Sequence, residues 1–497
     1  MIAAYAVSSV REAEALAMAS LHEGELMSRA ACGLAGIASA RLGGPGGRRV
    51  VALVGAGNNG GDALYALASL ARDGASAVAA RVGESVHQGA LRAAVEAGVL
   101  VLDVIGGGRD SASAASSALG EADLVIDGIV GLGGRPGLSP QIEALLRDVS
   151  DRAYVLAVDL PSGADPDGEV AARSCVFADE TVTFIAAKPV HLLPATEPAV
   201  GRLTILDIGV RVAAAPAVER VSADDVCRLW PRPGPADDKY SRGVLGIVAG
   251  GQKYTGAALL AVTSAVCSGA GMVRYVGPPT PTMLVRAQVP EAVIGQGQVQ
   301  AWLVGPGLDV GDTSADGRAQ TAAALAALGS GLPAVVDAGG LDLISDRRST
   351  PTLLTPHAGE LATLLTRLQG GHVSVDRAMV ASAPLAHALR LADLTNATVL
   401  LKGATTLVVS PGSSSLPVRS QADAPPWLAT AGSGDVLAGL AGTLLASGLS
   451  ARDAGSLAAL VHGLAADASN PGGPVRALAV AQAIPGVVAA LMVHRSA

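Results

Sequence analysis

Asn58, Asn59, Gly60, Gly61 and Asp62 lie between a short apolar run, residues 50–57, and an amphipathic stretch, residues 63–74. Carboxamides supply donors and acceptors, and glycines let the backbone approach a ligand closely. Gly55, Gly57 and Gly60 also satisfy G-x-G-x-x-G in a strand-to-helix setting, so a dinucleotide fingerprint is the first reading to weigh. Two features oppose it. Asp62 would bring an anion to a helix start where a pyrophosphate needs donors. The acid expected about 20 residues on, which would bind a ribose, is missing, and the next apolar run ends at Arg81. The turn suits a polar ligand together with a cation held by oxygens. The competing reading is an Asx-rich helix cap with Asp62 stabilising the helix dipole, and the motif alone leaves both open.

Further acids end two more apolar runs. Asp127 precedes residues 128–137, GIVGLGGRPG, and Asp159 precedes LPSG at 160–163. One aspartate before a turn is ordinarily a turn residue. Three strand ends carrying an acid exceed what capping requires, and open α/β sheets bind ligands outside the carboxyl ends of their strands. In the second half, Gly432 and Gly434 stand just before Asp435 at the start of an apolar helix. Free backbone amides and the helix dipole can cradle an anion there. An aspartate so placed can take a hydroxyl proton while the amides stabilise a transferring phosphoryl group. The plain alternative is an aspartate cap behind a glycine turn. The phosphate-binding sequence G-x-x-x-x-G-K-[ST] does not occur.

The elements that must position these groups alternate. Residues 10–42 are expected to form one long helix, followed by strands at 50–57, 76–82, 123–131, 154–163, 180–187 and 202–209. A second series runs through 243–251, 271–277, 301–308, 333–340, 351–360 and 398–410 and closes at 431–442. Apolar runs alternating with helices predict parallel sheets covered on both faces. An aperiodic segment around Pro216 reads as a linker, with the boundary near 216.

Composition narrows the function. The chain has 497 residues, half of them hydrophobic and 16% charged, which excludes a disordered chain and gives a prior of two or three domains. The most apolar stretches, near 319–336 and 477–494, contain Gly, Pro or Gln and do not read as membrane spans. No signal peptide is evident at the N-terminus, so a cytoplasmic protein without membrane attachment is expected. Residues 1–215 carry 16 Lys+Arg and 24 Asp+Glu, and the remainder carries 19 of each. Neither half offers the basic surface that nucleic acid needs. Cys32, Cys175, Cys227 and Cys267 are scattered and read as reduced buried thiols. The histidines form no metal-ligand pattern, so no zinc site is expected.

The set NNGGD (58–62), DGIVGLGGRPG (127–137), VDLPSG (158–163) and TFIAAKPVH (183–191) resembles the YjeF N-terminal family, the NAD(P)H-hydrate epimerases. The resemblance implies a Rossmann-like three-layer αβα domain over residues 1–215. It implies that Asn58, Asn59, Gly60, Gly61, Asp62, the loop Gly131, Leu132, Gly133, Gly134, Arg135, Pro136, Gly137, and Asp159 bind the hydrated dinucleotide. Asn59, Asp127 and Ser162 would hold K+, an oxygen-only set suited to a hard cation. Asp159 would be the acid/base at carbon 6 of the hydrated nicotinamide ring. The loop reads GLGGRPG where the family often has GTG and a basic residue, which leaves Arg135 as its cation.

KYSRG (239–243), GGQKYTGAALLA (250–261), GPGL (305–308), DAGGL (337–341), LLTPHAGE (353–360), LKGATT (401–406) and AGSGDVLAG (431–439) together resemble the ADP- or ATP-dependent NAD(P)H-hydrate dehydratases, of ribokinase-like α/β fold. The implied domain covers residues 222–497. Ala257, Gly307 and His357 would face the substrate. Lys402, Gly403, Ala404, Thr405, Thr406 and Gly434 would contact the nucleotide, with Mg2+ on its phosphates, and Asp435 would be the base at the C6 hydroxyl. His357 also fits an N-cap with Glu360 completing a capping box. Likeness to bacterial-type fusions favours ADP over ATP. A homo-oligomer is expected, with NAD(P)H hydrate and ADP as ligands. The competing functions are a ribokinase-like small-molecule kinase with a regulatory nucleotide-binding domain, and a non-enzymatic binding module.

Only four lysines stand against 31 arginines, and Lys188, Lys239, Lys253 and Lys402 all fall in these motifs. A lysine kept where arginine is the default cation suggests a need for a compact ammonium. At least Lys239, Lys253 and Lys402 are therefore expected to serve the nucleotide-repair site. Full turnover and ADP affinity in both Lys402→Arg and Lys253→Arg would contradict this.

Overall fold

The computed structural model describes residues 1–371 and 373–493. The chain divides into two units, one spanning Ala3–Val218 and the other running from Glu219 onward and including Met1–Ile2. Among the described residues no helix is long and apolar enough to cross a membrane.

In the first unit the strands stand in the order Leu100–Asp103, Ser76–Arg81, Arg49–Val54, Leu124–Gly128, Tyr154–Val158, Glu180–Phe184, Arg202–Leu206, and every pair is parallel. Alternation along the strands builds two cores. Val50, Ala52 and Val54 face the helices Glu25–Leu42 and Asn58–Arg72. Val51 and Leu53 face Gly108–Gly120 and Pro140–Leu146. The result is three layers, αβα. The chain starts in the middle of the sheet at Arg49–Val54, builds outward to one side, then crosses to Leu124–Gly128 and builds the other. The switch point therefore lies between the strand that leads into Asn58–Asp62 and the strand that carries Asp127, the place where such sheets bind ligands. Gly55 makes this junction possible: a Cβ there would lie 1.7 Å from the Ile129 carbonyl oxygen. Gly55→Ala is expected to destabilise the first unit by on the order of 3 kcal/mol, read by urea unfolding.

The second unit carries a larger sheet whose central order is Thr398–Leu401, Thr352–Leu354, Ala334–Val336, Ala301–Val304, Val244–Val248, Met272–Val276. These pairs are parallel. One face packs on Thr255–Cys267, Ser433–Ala446, Ala451–Ser469 and Ala477–Val493. Helices Ala315–Leu328 and Pro384–Thr395 also pack on the sheet, against Ala301–Val304 and Thr398–Leu401.

Four expectations are corrected. Residues 10–42 are two helices, Val7–Met18 and Glu25–Leu42, broken before Gly24, whose φ of 78° no helix accommodates. Residues 398–410 are an antiparallel pair, Thr398–Leu401 and Thr406–Val409, so LKGATT spans a strand end and the turn after it. The segment around Pro216 contains a short strand, Val218–Arg220. The cysteines are free, but Cys32 is exposed and the other three are half-buried.

Candidate functional sites

The first site is a cleft of about 1500 Å³ lined by Asn58, Asn59, Asp62, Gly131, Leu132, Gly133, Asp159 and Lys188, among others. Asp159 follows strand Tyr154–Val158 in a left-handed conformation, φ 67°, which aspartate tolerates better than most residues. It is held there from both ends. Its N–H donates to the Val182 carbonyl at 2.8 Å. Its carbonyl meets His191 Nε2 at 2.7 Å. His191 Nδ1 accepts the Lys188 backbone N–H at 2.9 Å, so the ring proton sits on Nε2 and donates to Asp159. Burial, aided by the Lys188 charge, pushes His191 down to about 4, which keeps it in this neutral form.

The Asp159 carboxylate takes the Lys188 ammonium and the Thr183 hydroxyl (2.9 Å) on Oδ1. Lys188 is itself buried and also donates to Thr183 Oγ1 at 2.7 Å. Burial alone would raise the Asp159 pKa; Lys188 outweighs it and holds the group below the ordinary range. Asp62, one helical turn beyond Asn59, shows the opposite behaviour. Burial first, then the charges of Asp159 and Glu14, push it well above the usual carboxylate range. The sequence motif TFIAAKPVH thus supplies Thr183, Lys188 and His191 to Asp159, contacts that motif reading did not assign. Arg11, whose Nη2 donates to the Leu132 carbonyl at 2.8 Å, and Glu14 also line the cleft. They come from the first helix, which carries no motif.

Other predicted residues fall beside the cleft. Gly60 and Gly61 are buried in the helix. Gly134, Arg135, Pro136 and Gly137 lie outside the lining, and Arg135 is exposed; the cation that holds this loop is Arg11. Asp127 is fully buried, its oxygens accepting from Ser162 N (2.8 Å), Ser162 Oγ (2.6 Å) and Ile129 N (3.3 Å). Burial raises it to about 6. Asn59 Nδ2 donates to the Val158 carbonyl at 2.7 Å, which leaves its Oδ1 beside Gly131.

In the second unit the carboxyl ends of three adjacent parallel strands bring the site residues together. Strand Ala334–Val336 ends at Asp337, Thr352–Leu354 leads to His357, and Thr398–Leu401 ends at Lys402. Lys402 Nζ donates to Asp337 Oδ1 at 2.8 Å and lies 3.7 Å from Glu360 Oε2. Burial would lower Lys402, but Asp337 and Glu360 outweigh it and raise it. Asp337 also accepts from Thr355 Oγ1 at 2.8 Å. A Cβ on Gly434 would lie 3.4 Å from Lys402 Nζ, so the glycine turn meets this cluster. Asp435 stands in the first turn of Ser433–Ala446, a turn tied down by Ser264 Oγ donating to the Val436 carbonyl at 2.6 Å. Burial, then Asp337, push Asp435 up to about 7, against the opposing charge of Lys402.

Gly307, at φ 65°, would place a Cβ 2.7 Å from that of Ala257, so these two residues share one wall. His357 is the N-cap of Ala358–Leu368: its Nδ1 accepts the Gly359 and Glu360 N–H groups, and Glu360 accepts the His357 N–H. Its Nε2 therefore carries the proton. Thr406 Oγ1 donates to the Gly403 carbonyl, Gly403 and Ala404 are exposed, and Thr405 is buried. Lys253 pairs with Asp309 at 3.0 Å on the same strand-end side and is largely exposed. Lys239 does not join the cluster. Its carbonyl packs beside Gly271, at the amino ends of Val244–Val248 and Met272–Val276, and a lysine stem cannot reach past a five-residue strand. Asp337, inside a recognised motif, was not assigned by sequence, and Glu360 was assigned only as the capping-box partner of His357, a role it has.

Comparison with known proteins matches both halves. The profile of the YjeF-related protein N-terminus covers residues 23–190, and that of NAD(P)H-hydrate dehydratase covers residues 245–484. The bifunctional NAD(P)H-hydrate repair enzyme of Mycobacterium leprae is 42% identical over 487 residues, 94% of each chain. The chain belongs to this bifunctional family. The Mycobacterium tuberculosis relative is likewise 42% identical, over 467 residues and 90% of each chain. Among solved structures, an ADP/ATP-dependent NAD(P)H-hydrate dehydratase from Bacillus subtilis, crystallised with ATP and Mg2+, aligns with TM-score 0.47 and 22% identity over 55% of this chain and 99% of that one. The two matched ranges contain Asp159 and Asp435 respectively.

Proposed function

We propose that the chain repairs hydrated nicotinamide dinucleotides in the cytoplasm. The first unit interconverts the R and S epimers of NAD(P)H hydrate, and the second dehydrates the S epimer with ADP, giving NAD(P)H, AMP and phosphate. The observation that carries this reading is the presence in one chain of two separately built aspartates. Asp159 is held ionised by Lys188 in the first cleft. Asp435 is held near neutrality beside Lys402 and a glycine turn. Either aspartate alone would suit many enzymes; together they match a two-step repair in which one step accepts a single epimer.

In the dehydratase step Asp435 takes the C6 hydroxyl proton as the oxygen attacks the β-phosphorus of ADP, which enters with Mg2+. AMP leaves. The N1 electron pair then expels phosphate as the C6–O bond breaks, and the resulting iminium gives its C5 proton to solvent, which restores the ring double bond. Amides at the start of Ser433–Ala446 face the transferring phosphoryl group. Lys402 and residues 403–406 contact the nucleotide, while Ala257, Gly307 and His357 Nε2–H border the substrate.

Asn59, Asp127 and Ser162 fit K+. Their donors are hard oxygens, and no cation balances the buried Asp127 among the described residues. When bound, the ion would compensate that charge and fix the loop at Gly131. Replacing K+ by tetramethylammonium is expected to lower the melting temperature of the first unit and slow epimerisation, with dehydration of pure S epimer unchanged. An ion-independent melting curve would contradict the assignment.

The direct test incubates purified S epimer with protein and either ADP or ATP, and purified R epimer with protein alone. Near-ultraviolet absorbance reads NADH recovery, and chromatography reads inversion. Recovery from the S epimer with ADP and inversion of the R epimer without nucleotide are expected. Neither occurring would overturn the reading.

A further inference from the structure

We propose that Asp62 is the second proton-transfer group of the epimerase site, partner to Asp159. The inference rests on the epimerase reading above and extends it to a residue expected so far only to bind substrate. Asp62 lines the same cleft as Asp159 and is 6% exposed. Among the described residues its Oδ1 is buried without a hydrogen-bond partner. A carboxyl left unpaired beside a ligand cleft has either a strong structural cost or a task. Its placement follows from the helix. Asn59 and Asp62 are three residues apart, so they share a face, and Asn59 is bonded to Val158, the residue before Asp159.

Inversion at C6 needs both an acid and a base. C6 of the hydrated ring carries the hydroxyl and is bonded to N1, which makes it a hemiaminal carbon. Expelling hydroxide would give an iminium ion, and loss of its C5 proton would yield NAD(P)H without nucleotide, bypassing the second unit. Opening the ring keeps the oxygen. Lys188 and Thr183 occupy Oδ1 of Asp159, leaving Oδ2 to accept the hydroxyl proton. The C6–O double bond forms, the C6–N1 bond breaks, and its electron pair goes to N1, which takes a proton from the Asp62 carboxyl. After rotation about C5–C6, N1 attacks the other face of the aldehyde. The N1 proton returns to Asp62, and Asp159 returns its own to the new hydroxyl. Both acids end as they began. Their surroundings suit these tasks: Lys188 favours the ionised form of Asp159, whereas burial and the neighbouring carboxylates favour the protonated form of Asp62.

The test measures R-to-S inversion by the full-length protein as wild type, Asp62→Asn and Asp62→Glu, with the dissociation constant for hydrated NADH determined in parallel. Asp62→Asn is expected to lower kcat at least ~100-fold while affinity stays within about threefold, and Asp62→Glu, which keeps an acid, to retain most of the rate. An Asp62→Asn enzyme that keeps its kcat overturns the proposal, as do equal losses in both variants or a loss in affinity alone. A proton inventory on the unaltered protein needs no variant. A bowed dependence on deuterium fraction is expected for two protons in flight, and a straight line would contradict it. Inversion by wild type in the same assay separates failure of this proposal from failure of the epimerase reading, which would show as no inversion by any form.

Discussion

Asp435→Asn is expected to stop ADP-driven dehydration, with kcat lower by about 10³-fold or more, while leaving epimerisation of the same hydrates intact. A positioned base contributes about 10² to 10⁴, and an amide cannot take the hydroxyl proton. The pH dependence follows from burial. Asp435 is pushed up to about 7, first by desolvation and then by Asp337. The base must be ionised, so the wild-type rate rises as pH passes through about 7 from below. The stability sign is opposite. A carboxyl whose folded pKa exceeds its unfolded value contributes stability below the unfolded pKa and loses it as pH rises through the folded one. At pH 8 the wild type therefore holds an unfavourable buried charge that Asp435→Asn lacks. The inactive variant should melt at a higher temperature there than wild type, and the difference should vanish near pH 4. A lower melting temperature at pH 8 would show that Lys402 compensates Asp435 fully.

The second large effect is at Lys188. Lys188→Met keeps the stem's volume but removes the ammonium that binds Asp159 Oδ1. Breaking one side of a buried pair costs about 3–5 kcal/mol because the other charge is left without a partner. Asp159 escapes part of that cost by taking up a proton, since burial, its largest influence, is then opposed only by the smaller effects of His191 and Thr183. Epimerisation at pH 7 should fall on the order of 10²-fold and recover partly as pH rises and Asp159 ionises. Wild type, with Asp159 held low, should show no such rise between pH 6 and 8. Dehydration of pure S epimer should be unchanged. An Asp159 that stayed ionised in Lys188→Met, seen as an unshifted pH profile, would contradict the pairing.

The sequence made the strand-end residues legible and left their mutual contacts hidden. Asp127, Asp159 and Asp435 stand where an apolar run ends or a glycine turn enters a helix, so alternation and turn chemistry marked them. Lys188 was visible as one of four lysines, but its bond to Asp159 spans 29 positions and depends on two strands lying side by side. Arg11 and Glu14 were invisible, because an alanine-rich helix carries no motif and their role comes only from where that helix packs. The single helix expected over 10–42 failed at Gly24, where six residues of turn interrupt an otherwise continuous apolar pattern. Lys239 shows the limit of reading rarity as function: it sits in a motif, yet lies at the opposite end of the sheet from Lys402. His357 was read as substrate-facing or as a helix cap. Its Nδ1 is the cap, and its Nε2 lies 3.6 Å from Glu360 Oε1.

The decisive measurement uses a mixture of both epimers of hydrated NADH with ADP and Mg2+, following NADH recovery for wild type, Asp159→Ala and Asp435→Ala. Rapid and complete recovery by wild type is expected. Asp159→Ala should recover the S portion quickly and the remainder only at the spontaneous epimerisation rate, and Asp435→Ala should recover none. If Asp159→Ala matched wild type, or if both variants lost the same phase, the two activities would not reside in the two separate aspartates, and the account would be wrong.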